Sequence, residues 1–211
     1  MKGLAQKTEK VTASLYEWEQ RFWHQGINYI CGVDEVGRGP LAGPVTAAAV
    51  ILRPGVFISG LNDSKKLSPN KREKLADEIK EKSYAWAVGW SSVCEIDALN
   101  ILIASRWAMS RAICNLQIKP EYLLIDGIAL PSINIPQKKI IGGDSLSASI
   151  AAASILAKVA RDELMTYYDS IFKGYGFVNN KGYPTSQHLK ALELLGPSPI
   201  HRLSFRPVIK K

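Results

Sequence analysis

Cysteine is scarce: Cys31, Cys94 and Cys114 are the only three in 211 residues. They are scattered and form no C-x-x-C pair, which excludes a disulfide framework and a thiolate zinc cage and fits a reducing compartment. Histidine is equally sparse, and His24, His188 and His201 are too dispersed for a structural zinc site. No long hydrophobic run exists. The longest, Leu41 to Leu52, is interrupted by Pro44 and Thr46 and falls short of the roughly 20 residues that span a bilayer. The first residues, MKGLAQKTEKVTASLYEW, hold no apolar h-region, so a secretory signal is not expected there and no membrane partner is. Internal repeats, low-complexity tracts and a GxxxxGK[ST] phosphate loop are also missing. The expectation is a cytoplasmic, soluble protein.

What is present begins with charge. Lys and Arg number 27 against 19 Asp and Glu, a formal net charge of +8, which points to an anionic partner without specifying a fold. Hydrophobic residues at 46% with 22% charged exclude wholesale disorder, and the length suits one domain with room for an appendage.

Along the chain, residues 1–27 read as an N-terminal extension carrying one short helix, closed by the aromatics Tyr16, Trp18, Phe22 and Trp23. Tyr29 to Val33 and Val45 to Leu52 read as buried strands separated by a Gly-Pro break. Ser68-Pro69 starts a charged helix, with Ser as N-cap and Pro at the first helical position. Tyr84, Trp86, Val88 and Trp90 alternate with small residues, so a third strand is expected with an aromatic face turned to the core. Helical spacing then runs from Ile96 to about Ile118, stopped by Pro120. Tyr122 to Ile125 reads as a doubly covered strand, and Lys139 to Ile141 as another. A long Ala-rich helix is expected from Ser147 to about Tyr168, and a further helix from Ser186 to Leu195 within a basic tail. Strands followed by alternating helices and strands imply an α/β domain with a mixed sheet.

Three places offer chemistry. Asp34-Glu35-Val36-Gly37-Arg38-Gly39-Pro40 follows the first strand; its carboxylates alone read equally as a charged turn, but its glycines let backbone N–H groups approach a ligand, beside a planar Arg donor. Asp126-Gly127 ends a central strand, where open α/β sheets bind ligands; a turn residue is the competing reading. Asp144 precedes the Ala-rich helix and on its own reads as its cap. Brought together at one sheet edge, Asp34, Glu35, Asp126 and Asp144 would repel one another by several kcal/mol unless a cation lay between them. Oxygen-only ligands favour Mg²⁺ or Mn²⁺ over zinc, and two such ions can carry phosphodiester hydrolysis.

At these residues the chain resembles ribonuclease HII, the prokaryotic type 2 ribonuclease H family. The matching segments are Gly32–Pro44 (GVDEVGRGPLAGP), Asn62–Leu67 (NDSKKL), Ile125–Gly127, Gly143-Asp144, Ser149–Asp162 (SIAAASILAKVARD), Lys181–Thr185 (KGYPT) and Ile200–Phe205 (IHRLSF), in the family's order. The resemblance implies an α/β RNase H-like fold, a mixed five-stranded sheet flanked by helices, with a catalytic domain over residues 28–172 and a small basic helical extension over 173–211. It implies that Asp34, Glu35, Asp126 and Asp144 bind two catalytic Mg²⁺ or Mn²⁺ ions. It further implies that the backbone of Gly37-Arg38-Gly39 reads a ribose 2′-OH, that Tyr183 stacks on the following deoxyribose, and that Ser64 and Lys65, within Asp63–Lys66, contact phosphate. The expected substrates are RNA–DNA hybrids and DNA duplexes with embedded ribonucleotides, cut 5′ of the ribonucleotide to leave a 3′-OH and a 5′-phosphate. A monomer is expected. A sliding-clamp partner would need an aromatic motif stronger than Leu203-Ser-Phe205.

Other residues have a plain structural reading. Arg161-Asp162 reads as an ion pair on the helix that also carries Lys158, and Asp162 is left out of the metal set. His188 and His201 read either as nucleic-acid contacts or as structural residues. Two other classes compete with the nuclease: a non-catalytic nucleic-acid-binding module leaves the carboxylates unexplained, and a metal-dependent phosphatase leaves the basic tail unexplained. Residues 170–211 hold seven Lys and Arg against Glu193 alone, so the tail carries most of the net charge.

Overall fold

The apolar runs of the sequence become the centre of a five-stranded mixed sheet of order β3-β2-β1-β4-β5. The strands are β1 (Ile30–Val36), β2 (Val45–Leu52), β3 (Ser83–Ser91), β4 (Tyr122–Asp126) and β5 (Gln137–Ile140). β1, β2 and β3 pair antiparallel, whereas β4 joins β1, and β5 joins β4, in parallel. Seven α-helices accompany them among the described residues: α1 (Glu17–Trp23), α2 (Pro69–Lys82), α3 (Val93–Leu99), α4 (Ile101–Cys114), α5 (Ala148–Ile171), α6 (Phe177–Asn180) and α7 (Ser186–Leu195). This computed structural model describes residues 15–62 and 64–208. The first part of the expected N-terminal extension, Asp63, Lys210 and Lys211 lie outside the described residues.

β2 is buried along its whole length because its alternating side chains feed two cores. Ala48, Val50 and Leu52 meet Leu75 and Ile79 of α2 and Ile155 of α5. Val45, Ala47, Ala49 and Ile51 meet Ala104, Ala108 and Met109 of α4. Gly32 lets α5 lie directly on β1: a Cβ there would stand 2.0 Å from the Ser149 carbonyl carbon and 2.3 Å from the Ile150 nitrogen. The start of α5 is tied from far away in sequence. Glu19 of α1, almost fully buried, accepts hydrogen bonds from Ser147 Oγ (2.5 Å), Ser149 N (2.9 Å) and Ser149 Oγ (2.6 Å). A carboxylate at a helix N-terminus is also favoured by the helix dipole. Leu15 and Tyr16 belong to the principal core, and Ile58 N donates to Tyr16 Oη at 2.9 Å.

The structure corrects three expectations here. The helix read from Ile96 to Ile118 is two helices, α3 and α4, broken at Asn100 (φ 77°), whose side chain accepts from Leu102 N and Ile103 N. Asn tolerates the left-handed region and caps well, so it both stops one helix and starts the next. The aromatic face of β3 is not core: Tyr84 and Trp86 are 44% and 40% exposed, and Val88 and Trp90 are half-buried. Its small face, with Ala85, Ala87 and Gly89, is the buried one, because only small residues admit α4 so close to an edge strand. β5 also begins two residues earlier than expected, leaving Ile141 outside it.

Replacing Gly32 by Ala should cost about 3 kcal/mol or more, since the added methyl meets backbone rather than a movable side chain. Urea unfolding measures this; a loss below about 1 kcal/mol would show that α5 can lift from β1 without penalty.

Candidate active site

Parallel pairing sets the first two carboxylates side by side. Val33 pairs with Ile125 in the β1–β4 ladder, so Asp34 and Asp126 are the next residues at the same sheet edge, and residues in equal register share a face. That face is the one α5 covers. The Ser154 hydroxyl of α5 favours the charged form of the Asp34 carboxylate, and its Oγ lies 3.0 Å from Ser64 Oγ. Asp34 Oδ1 also accepts the Glu35 N–H at 2.7 Å, while Asp126 Oδ1 accepts the Gly143 N–H at 2.8 Å.

Burial first, then the charges of Glu35 and Asp126, push the Asp34 carboxyl well above its ordinary range. Glu35 is raised as well, chiefly by burial, although Arg38 opposes this with a 3.2 Å hydrogen bond. The second oxygen, Glu35 Oε2, is buried without a hydrogen-bond partner among the described residues. These carboxylates therefore form a donor set of hard oxygen atoms short of positive charge, which suits a hard divalent cation. They do not form a closed cage as they stand: among the described residues no three His, Cys, Asp or Glu side chains are grouped for metal binding.

A cavity of about 210 Å³ is lined by Asp34, Glu35, Gly37, Arg38, Gly39, Ser64, Lys65, Asp126 and Tyr183, together with Ser154 and Val36. The fold thus brings nine of the ten residues singled out in the sequence to one wall. Asp144 is not among them. It is half-buried in the 3-10 turn Gly143–Ser145, whose first N–H holds Asp126.

Two buried guanidinium groups shape the loop from Gly37 to Pro44. Arg202 donates to the carbonyls of Gly37 (2.5 Å), Arg38 (2.9 Å) and Gly43 (2.8 and 2.9 Å). Arg161 donates to Pro44 O (3.1 Å), Ala42 O (3.1 Å) and Lys181 O (3.0 Å). Gly37 has φ 91°, and a Cβ on it would stand 2.2 Å from Arg161 Nε, so both backbone and space demand glycine. Burial lowers Arg161 to about 10; burial and then Arg161's charge lower Arg202 to about 9, which leaves both charged near neutrality. The expected Arg161–Asp162 pair does not form. Adjacent helical residues point about 100° apart, so Arg161 turns to the loop while Asp162 faces Lys158 (2.7 Å) and Arg72 (3.3 Å). Arg72 in turn donates to Ser64 O (3.0 Å) and Leu67 O (3.0 Å), fixing the Ser64–Lys65 segment.

His188 and His201 are buried, which settles the two readings left open for them in favour of the structural one. His201 Nδ1 accepts the Ser198 N–H (2.9 Å), so its Nε2 carries the proton and donates to His188 Nε2 (3.0 Å). His188 Nδ1 is then the donor to Tyr183 O (2.9 Å). Burial, followed by the charge His188 would carry, pushes His201 down to about 4; burial lowers His188 too. The pair is a neutral relay ending on the backbone of a cavity residue.

Sequence reading missed Ser154, Arg72 and Arg202 as parts of the site. Ser154 had a signal, a polar residue inside the run Ala151-Ala-Ala-Ser-Ile-Leu156. Arg202 had none, since a basic residue in a basic tail looks like surface charge.

Comparison with known proteins places the chain among others of this geometry. The family model described as Ribonuclease HII matches residues 31–208. A ribonuclease HII of Moorella thermoacetica is 63% identical over 206 residues, covering 98% of this chain and all of that protein. The RNase HII in the PCNA:RNase HII complex from Archaeoglobus fulgidus superposes with a TM-score of 0.69 at 26% identity, over 87% of this chain and 98% of that one. Bst-RNase HIII in complex with Mn²⁺ shares the fold, with a TM-score of 0.56 at 19% identity over 82% and 72% of the two chains.

Two outcomes are expected from these electrostatics. Asp34→Asn keeps the acceptor for Glu35 N and removes a buried charge, so in a chelator it should raise the melting temperature by about 2–4 °C; a lower value would mean the carboxylate is not strained. The neutral histidine pair contributes fully above pH 6.5 and loses its contribution as pH falls from there toward about 4. The raised carboxylates titrate with the opposite sign, so the readout is the difference between wild type and His201→Gln. That difference in unfolding free energy should shrink on acidification across this window; a constant difference would count against a neutral buried pair.

Proposed function

Because the chain belongs to the ribonuclease HII family, and is therefore a ribonuclease H acting on RNA in RNA–DNA hybrids, we propose a narrower activity for it: hydrolysis of the phosphodiester 5′ of ribonucleotides embedded in duplex DNA, leaving a 3′-OH and a 5′-phosphate. The observation that carries this reading is one cavity whose lining combines buried carboxylates with a glycine loop and a tyrosine. Carboxylates alone would suit many hydrolases; their company suits a ribose-containing duplex. Family membership removes the non-catalytic binding module as a competitor.

In the proposed mechanism Asp34, Glu35 and Asp126 would hold two divalent ions, Mg²⁺ or Mn²⁺, together with Asp144 from the Gly143–Ser145 turn beside the cavity. Such ions, when bound, supply Lewis acidity at the scissile phosphate and neutralise charge on its oxygens. The chain's own residues do the rest. Ser154 and the Glu35 N–H orient Asp34, and the Gly143 N–H orients Asp126, so neither carboxylate must reorganise when substrate arrives. Backbone N–H groups of the Gly37–Gly39 loop meet the ribose 2′-OH, which is the group that distinguishes RNA from DNA at one position. Tyr183, whose ring comes within 3.7 Å of a Cβ built on Gly39, stacks on the next deoxyribose. Ser64 and Lys65 steady the phosphate backbone.

Residues 28–172 are proposed as the catalytic body, with 1–27 and 173–211 as extensions and the chain acting as a monomer in the cytoplasm. No described helix is long and apolar enough to cross a membrane. The clamp complex is a property of the Archaeoglobus protein and is not extended to this chain.

Incubation with Mg²⁺ and a DNA duplex carrying one ribonucleotide should give a single cut with 3′-OH and 5′-phosphate ends, and an intact duplex would refute the reading. Asp34→Asn and Asp126→Asn should each reduce the rate by about 10³-fold or more while duplex binding persists; near-wild-type turnover would remove them from the machinery. Tyr183→Ala should lower the ratio of single-ribonucleotide to uniform-hybrid cleavage by about tenfold, the scale of one lost stacking contact. An unchanged ratio would take Tyr183 out of substrate choice.

A further inference from the structure

We propose that Arg202 is a specificity-positioning residue: by holding the carbonyls of Gly37 and Arg38 inward, it aims the N–H groups of Arg38 and Gly39 at the ribose 2′-OH. The inference rests on the functional reading above and adds to it the element that sets the loop's polarity.

A trans peptide is planar, with its C=O and N–H pointing to opposite sides. Fixing the Gly37 carbonyl therefore fixes the Arg38 N–H, and fixing the Arg38 carbonyl fixes the Gly39 N–H. Arg202 grips both carbonyls, at 2.5 and 2.9 Å, from the fully buried side. The two N–H groups consequently face the cavity, and among the described residues neither has an acceptor of its own. Two successive N–H groups directed at one point form a concave donor pair suited to a single oxygen. A third carbonyl, Gly43 O, on the same guanidinium closes the far end of the loop. Only a planar group with five donors in a fixed fork can hold three carbonyls at once; a lysine ammonium is a point donor.

Arg202 is itself held in place. Asp97 of α3 accepts Leu203 N (2.9 Å), Ser204 N (3.0 Å) and Ser204 Oγ (2.5 Å), and Ala42 bridges His201 in an antiparallel pair. The neighbouring His201 reaches Tyr183 through His188, so one dipeptide of the tail governs both the donor loop and the tyrosine beside it.

The test is equilibrium binding in a chelator, by fluorescence anisotropy, to two DNA duplexes that differ in one 2′-OH. Wild type should prefer the ribonucleotide duplex. Arg202→Met should reduce that preference about tenfold, as expected for two misdirected hydrogen bonds, while affinity for the all-DNA duplex stays within about twofold. Arg202→Lys should fall between them. A preference unchanged in a folded Arg202→Met protein overturns the inference and leaves the functional reading standing; equal binding of both duplexes by wild type overturns both. Should the variants fail to fold, amide exchange in wild type decides. The Arg38 and Gly39 N–H groups should gain protection with the ribonucleotide duplex and not with all-DNA, and equal protection with both overturns the proposal.

Discussion

The contact of α5 with β1 through Gly32 is the constraint on which the rest of the molecule depends. A helix seated this close presents its residues to the sheet edge in a fixed order. Ser149 and Ser147 meet Glu19 at one end. Two turns on, Ser154 reaches Asp34 and Ser64. Two further turns place Arg161 under the Gly37–Pro44 loop and Asp162 against Arg72. A single rigid rod thereby spaces the carboxylates, the serine that orients one of them, and the loop opposite. Raising it by the width of a methyl group would disturb all three together, since packed interiors relax only in part.

Charge is handled in opposite ways by the carboxylates that line the cavity and by the guanidinium groups behind its loop. Asp34 is buried and Glu35 half-buried with too few donors, a state that a cation would relieve. Arg161 and Arg202 are buried with their donors directed to backbone carbonyls, so their charge is solvated by peptide dipoles rather than by carboxylates. The first arrangement holds affinity in reserve for a ligand. The second makes a loop rigid with backbone carbonyls as the only acceptors of these two guanidinium groups among the described residues.

Much of this was legible in the sequence because it follows from local rules. The five strands, the Ser68-Pro69 helix start and α7 reflect periodicity, capping and turn chemistry, each decided within a few residues. The carboxylates at Asp34 and Asp126 were found as strand-end acids, and their adjacency followed from parallel pairing. Asn100 shows how a local signal is overlooked: its flanks keep helical spacing, and only its tolerance of positive φ, with a double cap, splits the helix. Trp86 shows a different failure. Alternation on an edge strand identifies two faces without saying which is covered, and the small face won because a helix backbone must fit against it. Arg202 was illegible for a third reason, since its partners are main-chain carbonyls some 160 residues away that carry no sequence signature.

Arg202 also alters what the net charge of +8 can mean. Arg72, Arg161 and Arg202 are buried at 8%, 0% and 0% exposure, and the last is one of the seven cations that give the tail most of the net charge. Such groups still contribute to the field that draws an anion from a distance, because long-range attraction depends on total charge. Counterion release depends instead on cations that touch phosphate. The salt dependence of duplex binding therefore counts fewer groups than the sequence does, and the described part of the tail contributes to it chiefly through Lys173, Lys181, Lys190 and Arg206. Arg202 instead supports the Gly37–Gly43 loop from beneath.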